Sequence, residues 1–282
     1  MRYRASVEIS KQFQLRGVPG LVNTTYFGQR RVDFWAPNEP TEHMLIAHDG
    51  QNIFDRKSAT FRSTWRLAQS AYRLFTDKNL PAPLIVAVFH SGSKSDPNGR
   101  GKELTPQASF EAGVKAAQEN IPPQNRLDVA QLRGDDYQRE IAETIIPEVT
   151  ALVGHQLVPN KTAMIGASMG GLASLYGLIK YPNLYTTGLA LSPHWILGNQ
   201  PLVVDLINRL PKNQGHKIWM SRGTSGLDAK YESCQIVADQ LMLETGWQLN
   251  KNFKSEIFNR ASHNERAWAK QVPEVLEFWV KN

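Results

Sequence analysis

The chain has one cysteine, Cys234, so it can form no internal disulfide. Cys234 falls in a helical pattern after a glycine-rich loop, where it reads as a buried spacer and not as a nucleophile. No apolar run reaches the length that crosses a bilayer. The N-terminus, Met1-Arg2-Tyr3-Arg4-Ala5-Ser6-Val7-Glu8, carries basic residues but no apolar stretch after them, so the expectation is a cytoplasmic protein without a membrane partner. There is no P-loop, no dinucleotide fingerprint, no histidine pair at helical ligand spacing and no cysteine cluster. Nothing therefore points to a metal or another cofactor. Lysine and arginine number 32 against 26 acidic residues, a net charge of +6. These basic residues are scattered, and aromatics do not interleave with them. That pattern argues against nucleic acid and for a solvated basic surface suited to attracting acidic substrates.

What is present is ordinary globular composition, 41% hydrophobic and 21% charged, over 282 residues. With no repeat, low-complexity tract or clear linker, the expectation is a single α/β domain over residues 1–282. Short apolar runs read as strands: Arg30 to Trp35, Met44 to His48, Leu84 to Phe89, Ala163 to Ile165, Thr187 to Leu191, Lys217 to Ser221 and Lys254 to Phe258. Helical patterns lie between them at Trp65 to Phe75, Asp136 to Val153, Lys230 to Glu244 and Val272 to Val280. Pro147 should kink the second of these. The alternation predicts a mostly parallel central sheet with helices on both faces, and functional groups at the carboxyl ends of its strands. Ser91 to Asp135 reads as a loop-rich excursion bordering that end, in which Phe110 to Glu119 could form a short helix.

Gly166-Ala167-Ser168-Met169-Gly170-Gly171 stands between a strand and a helix running from Leu172 to Lys180. This G-x-S-x-G in strand–turn–helix context matches the nucleophile elbow of an α/β-hydrolase, in which a strained turn presents its serine above the sheet. Gly166 and Gly170 leave room around the turn, and Gly171 lets the helix lie close to the sheet. In such a fold the partners follow in the order serine, acid, histidine. His263, in Asn259-Arg260-Ala261-Ser262-His263-Asn264-Glu265, is the histidine beyond the last strand and is the candidate base. The acid is expected in the loop Arg222 to Glu232. Asp228 is its first carboxylate and Glu232 the next, while Asp228 could instead cap the following helix. One oxyanion donor is expected at the backbone N–H of Met169. The second falls to Gln51 in His48-Asp49-Gly50-Gln51-Asn52, with Gly50 turning the backbone inward, unless that segment is an ordinary Asp-Gly turn. Asp49, His194 and Trp195 are candidates for the substrate pocket, and Trp65 and Trp268 are weaker ones.

Together these segments resemble the putative esterase family of α/β-hydrolases, also called the esterase D family, which includes enterochelin-type esterases, feruloyl and acetyl xylan esterases and S-formylglutathione hydrolases. The resemblance runs from about Arg30 onward. It is carried by His48-Asp49-Gly50-Gln51-Asn52, Glu103-Leu104-Thr105-Pro106, Ile145-Ile146-Pro147, Ile165 to Leu172, Leu191-Ser192-Pro193-His194-Trp195, Gly223-Thr224 to Asp228, and His263 to Trp268. It implies Ser168 as nucleophile, His263 as base, and Met169 and Gln51 as oxyanion donors. Two departures stand out: Ser221 where the family usually has aspartate or tyrosine, and His90-Ser91-Gly92-Ser93 in a loop that is usually Asn-Gly-rich. Both are expected to alter substrate contacts more than the triad. The expected activity is cleavage of a small-molecule carboxylic ester through an acyl-enzyme. Acyl transfer to a sugar or alcohol, and a non-catalytic binding protein on the same fold, are the alternatives. The sequence leaves open whether the chain forms a homo-oligomer.

Overall fold

A computed structural model describes residues 7–119, 122, 126–211 and 215–281. Most of the basic start of the chain, residues 1–6, and Pro123 in the excursion lie outside them. The centre of the molecule is built from strands that bury every residue: β4 (Met44–His48), β5 (Leu84–Val88), β6 (Thr162–Ala167) and β7 (Thr187–Leu191). Successive side chains of a strand point to opposite faces. Ile46, Val86, Met164 and Ala190 enter one apolar layer. Leu45, Ile85, Ile165 and Leu189 enter the other. Continuous apolar runs are what two covered faces require.

β8 (Lys217–Ser225) and β9 (Phe253–Ser262) extend the parallel ladder, giving the order β5-β4-β6-β7-β8-β9. On the other side β3 (Arg30–Ala36) pairs antiparallel with β5, followed by β2 (Leu21–Phe27) and β1 (Lys11–Phe13), each antiparallel to the last, for nine strands in one sheet among the described residues. β1 and β2 are absent from the sequence reading. Their residues are mixed polar and apolar, with no continuous run to mark them.

One face carries α1 (Leu67–Asp77) and α9 (Glu265–Val280). The other carries α2 (Gly99–Leu104), α3 (Gln107–Glu111), α4 (Gly134–Glu140), α5 (Ile146–Val153), α6 (Met169–Lys180), α7 (Asn199–Arg209) and α8 (Glu232–Glu244). The excursion is thus more helical than expected, and the helix in it ends at Glu111 instead of running toward Glu119. Pro147 breaks the long pattern as anticipated, but through a π turn at Ile141–Ile145. The proline then sits in the first turn of α5, where a missing N–H costs little. α9 starts at Glu265 and not at Val272, because the Asn264 side chain accepts from the N–H groups of Arg266 and Ala267. Arg30 bridges Glu103 at 2.7 Å and Glu140 at 2.9 Å, tying the antiparallel edge to α2 and α4.

Candidate active site

β6 turns into α6 at Ser168, whose backbone sits at φ 59°, ψ −123°. That is a strained conformation for a residue with a Cβ. The motif's glycines make room for it. A Cβ on Gly166 would lie 2.3 Å from the Gly170 carbonyl oxygen, and one on Gly170 would lie 3.2 Å from His48 Cβ. The turn is fastened from both sides. Ser168 N–H donates to the Leu191 carbonyl at 2.9 Å, and the Ser168 carbonyl accepts from Gly171, Leu172 and His194 N–H groups. Met169 is the first residue of α6, where N–H groups have no intrahelical acceptor. Among the described residues its N–H has no other partner.

Asp228 lies fully buried in a single 3-10 turn, Asp228–Tyr231, after β8. Its Oδ1 meets His263 Nδ1 at 2.5 Å. Its Oδ2 accepts from Ser192 Oγ at 2.8 Å and from Gly223 N–H at 2.7 Å. Gly223 has to be glycine, since a Cβ there would stand 2.2 Å from the Ala261 carbonyl oxygen. The carboxylate caps no helix, for the residue before this turn is Leu227 and no side-chain cap bond forms there. Glu232 points away and pairs with Arg222 at 2.6 Å. The His263 ring is held between the edges of Trp268, at 4.8 Å between centroids, and Tyr231, at 5.5 Å.

The loop after β4 departs from the expected mechanics. Asp49 itself takes the left-handed turn, at φ 54°, ψ 52°. Gly50 is needed for closeness instead, because a Cβ there would lie 2.6 Å from the Phe89 ring and 2.7 Å from the Ala87 carbonyl oxygen. Arg100, on α2, clamps Asp49 with Nε and Nη2 at 2.7 Å each. Burial alone would raise the Asp49 carboxyl, but Arg100 outweighs it and holds the group below its ordinary range. Asp49 is therefore buried and engaged by Arg100 instead of being offered to a pocket. The next residue but one, Gln51, has a backbone N–H without a partner among the described residues, and its carbonyl accepts from Ser58 Oγ at 3.0 Å.

The other pocket candidates divide. His194 is half-buried beside Ser168 and His263. Burial, then the neighbouring His263 and Arg100, push its pKa down to about 4, so its ring is neutral near pH 7. Trp195 has no exposed surface and gives its indole N–H to Gln235 at 3.0 Å, so it cannot wall a pocket open to solvent. Trp65 and Trp268 are likewise buried, and Trp268 gives its N–H to Ser192 Oγ at 3.1 Å. Ser221 is buried too and donates to Gln271 at 2.7 Å, so it shapes the interior and not a substrate contact. The sequence reading missed Tyr231, Arg100 and Ser192 as contributors. Ser192 had a signal in its Leu-Ser-Pro segment directly after β7. No group of histidine, cysteine, aspartate and glutamate side chains that could hold a metal occurs among the described residues, and no helix there is long and apolar enough to cross a membrane.

The family described as putative esterase matches residues 28–278. No curated protein matches the chain. Among solved structures, the enterobactin esterase from Shigella flexneri superposes with a TM-score of 0.67 at 12% identity, over 94% of this chain and 60% of that one. This chain thus spans well under two thirds of that protein. An IroE-like serine hydrolase from Shewanella oneidensis gives 0.65 at 14% identity, over 89% of this chain and 74% of that chain. The siderophore hydrolase EstA from Aspergillus nidulans gives 0.59 at 17% identity, over 88% and 90%. At such identities the likeness is one of fold, an α/β-hydrolase arrangement.

Proposed function

The chain belongs to the putative esterase family, and on that premise we propose that it is a carboxylesterase that cleaves its ester through an acyl-enzyme on Ser168, with the whole chain acting as one catalytic domain. The observation that carries this reading is the buried Asp228 carboxylate holding His263 Nδ1 at 2.5 Å, on the face where the strained elbow presents Ser168. With Nδ1–H committed to Asp228, the Nε2 lone pair of His263 is left free to act as base. His263 takes the Ser168 proton as Oγ attacks the ester carbonyl. The N–H groups of Met169 and Gln51 receive the oxyanion. The protonated His263 gives its proton to the departing alcohol. Water, deprotonated by the same histidine, then releases the acid. The net charge of +6 favours anionic esters. Siderophore esters belong in the first substrate panel beside simple acyl esters, given the hydrolases that share the fold.

Intact mass after incubation with a fluorophosphonate tests the reading. We expect one adduct on the wild type and none on Ser168→Ala, with turnover in that variant lower by about 10⁴-fold or more. An adduct on Ser168→Ala, or its undiminished turnover, overturns the assignment.

A further inference from the structure

We propose that Ser192 is a positioning residue for the triad acid: its hydroxyl, itself oriented by the Trp268 indole, holds the Asp228 carboxylate so that Oδ1 faces His263 Nδ1, and the segment around it braces that acid against the nucleophile. This deepens the acyl-enzyme reading above and rests on it.

Ser192 follows β7 directly, has no exposed surface and takes φ 44°. A positive φ strains a residue with a Cβ, and such strain lasts only where the surroundings hold it. Glycine would take the same conformation freely. What serine has and glycine lacks is the hydroxyl, and that hydroxyl has a partner on each side. Its Oγ donates to Asp228 Oδ2 at 2.8 Å and accepts from Trp268 Nε1–H at 3.1 Å. The Ser192 backbone is held as well, with its N–H on the Ser221 carbonyl at 2.8 Å.

The chemistry of the end groups fixes the direction of this chain. An indole N–H can only donate, and an ionised carboxylate can only accept. The hydroxyl between them must accept from the first and donate to the second. Its proton therefore lies on Oδ2, the oxygen that His263 does not use. With Gly223 N–H on the same oxygen at 2.7 Å, Oδ2 is pinned by two donors, and Oδ1 is left to His263 Nδ1 at 2.5 Å. Trp268 acts on both members of the pair. Its N–H orients Ser192, and its ring stands edge-on to His263 at 4.8 Å between centroids.

The same segment reaches the nucleophile. The Leu191 carbonyl accepts from Ser168 N–H at 2.9 Å, and His194 N–H donates to the Ser168 carbonyl at 3.2 Å. Between these two bonds to the elbow stands the bond to the acid. The segment thus sets where Asp228 and His263 sit relative to Ser168, a placement that catalysis needs to within about 0.5 Å.

The test compares Ser192→Ala, Ser192→Gly and Trp268→Phe with the wild type, and repeats Ser192→Ala on an Asp228→Asn background. Alanine removes the hydroxyl. Glycine removes it together with the strain. Phenylalanine keeps a ring beside His263 and loses the N–H. The readouts are kcat and KM on an activated ester and the second-order rate of fluorophosphonate labelling. Ser192→Ala and Ser192→Gly are expected to lower kcat and the labelling rate alike, by about ten- to a hundredfold, with KM within about twofold of the wild type. Trp268→Phe should lower them by about three- to tenfold and add little to Ser192→Ala, because it acts through the same hydroxyl. On Asp228→Asn, where His263 has already lost its carboxylate, Ser192→Ala should cost no more than about twofold further. A serine that only shaped the segment would slow that background as much as it slows the wild type. Wild-type kcat in Ser192→Gly, or an undiminished loss on Asp228→Asn, overturns the proposal. Should Ser192→Ala not fold, Ser192→Gly carries the same comparison on both backgrounds, since its backbone suits φ 44°. Should neither fold, wild-type rates for Trp268→Phe overturn it. A wild type that takes no label refutes the acyl-enzyme reading itself. A wild type that labels no faster than Ser192→Ala refutes only the role of Ser192.

Discussion

At the residue scale, Asp228 shows how a site can be fixed by exhausting a side chain's acceptors. Oδ2 takes two donors, Ser192 Oγ and Gly223 N–H, and Oδ1 takes His263 Nδ1. Asparagine in that place has one acceptor oxygen, which those two donors would claim for the Oδ2 side. Its NH₂ would then face His263 Nδ1 and force the ring proton onto Nε2, where a base needs a lone pair. Asp228→Asn is therefore expected to fold and to lose about 10³- to 10⁴-fold in kcat, read from initial rates on an activated ester. A loss under about tenfold would show that His263 does not depend on this carboxylate. Asp228 and His263 were legible in the sequence because chain order and strand positions confine them to particular loops. Tyr231 and Arg100 were not. Tyr231 matters only because a 3-10 turn sets its ring against His263 and its hydroxyl on His194 Nδ1, and Arg100 lies 51 residues from the Asp49 it clamps. No local pattern encodes either meeting.

At the element scale, legibility followed whether a segment's own residues decide its shape. The elbow was readable because each glycine of Gly166 to Gly171 answers a contact within the turn or with the strands beside it. The central strands were readable because burial on both faces demands unbroken apolar runs. The edge strand β1, its neighbour β2 and the short helices α2 and α3 were not, since their form depends on what they dock against. α2 is the clearest case. It is one and a half turns long and unable to hold itself as a helix, yet it delivers Arg100 to Asp49 and Glu103 to Arg30. It works as a strut beneath the loop that presents Gln51. Arg100→Gln leaves a buried carboxylate without its cation, so stability should fall by about 1–3 kcal/mol, and kcat should fall more than KM rises as the loop loosens. Adding Asp49→Asn removes the stranded charge. The double variant should regain part of the stability in urea unfolding while staying slow. Equal stability of Arg100→Gln and the wild type would show that the clamp is not a strut.

At the scale of the whole molecule, the two apolar layers that enclose the sheet also take histidines out of water. His48, at the end of β4, is fully buried. Its Nδ1 lies 2.8 Å from the Tyr137 hydroxyl, and its Nε2 has no partner among the described residues. His43 stands between the ring edges of Phe75 and Trp279. Burial, the largest cause at His43, His48 and His194, lowers each from an ordinary value of 6.5 to about 4. The sign of the linkage follows from those values. Above about pH 6.5 all three are neutral whether the chain is folded or not, and their contribution to stability is fully present. As the pH falls from there toward about 4, the unfolded chain binds protons that the folded one refuses, and that contribution is lost. The protein should therefore weaken across mildly acidic pH, before most carboxylates titrate. Urea unfolding over that range checks it, with His48→Gln as the control. Glutamine can keep a polar contact with Tyr137 but takes up no proton in the unfolded state. Whatever its stability at neutral pH, its plot of unfolding free energy against pH should be shallower than the wild type's by up to about 1.4 kcal/mol per pH unit. Parallel plots for the two proteins would mean that His48 is charged, or stays uncharged, equally in both states.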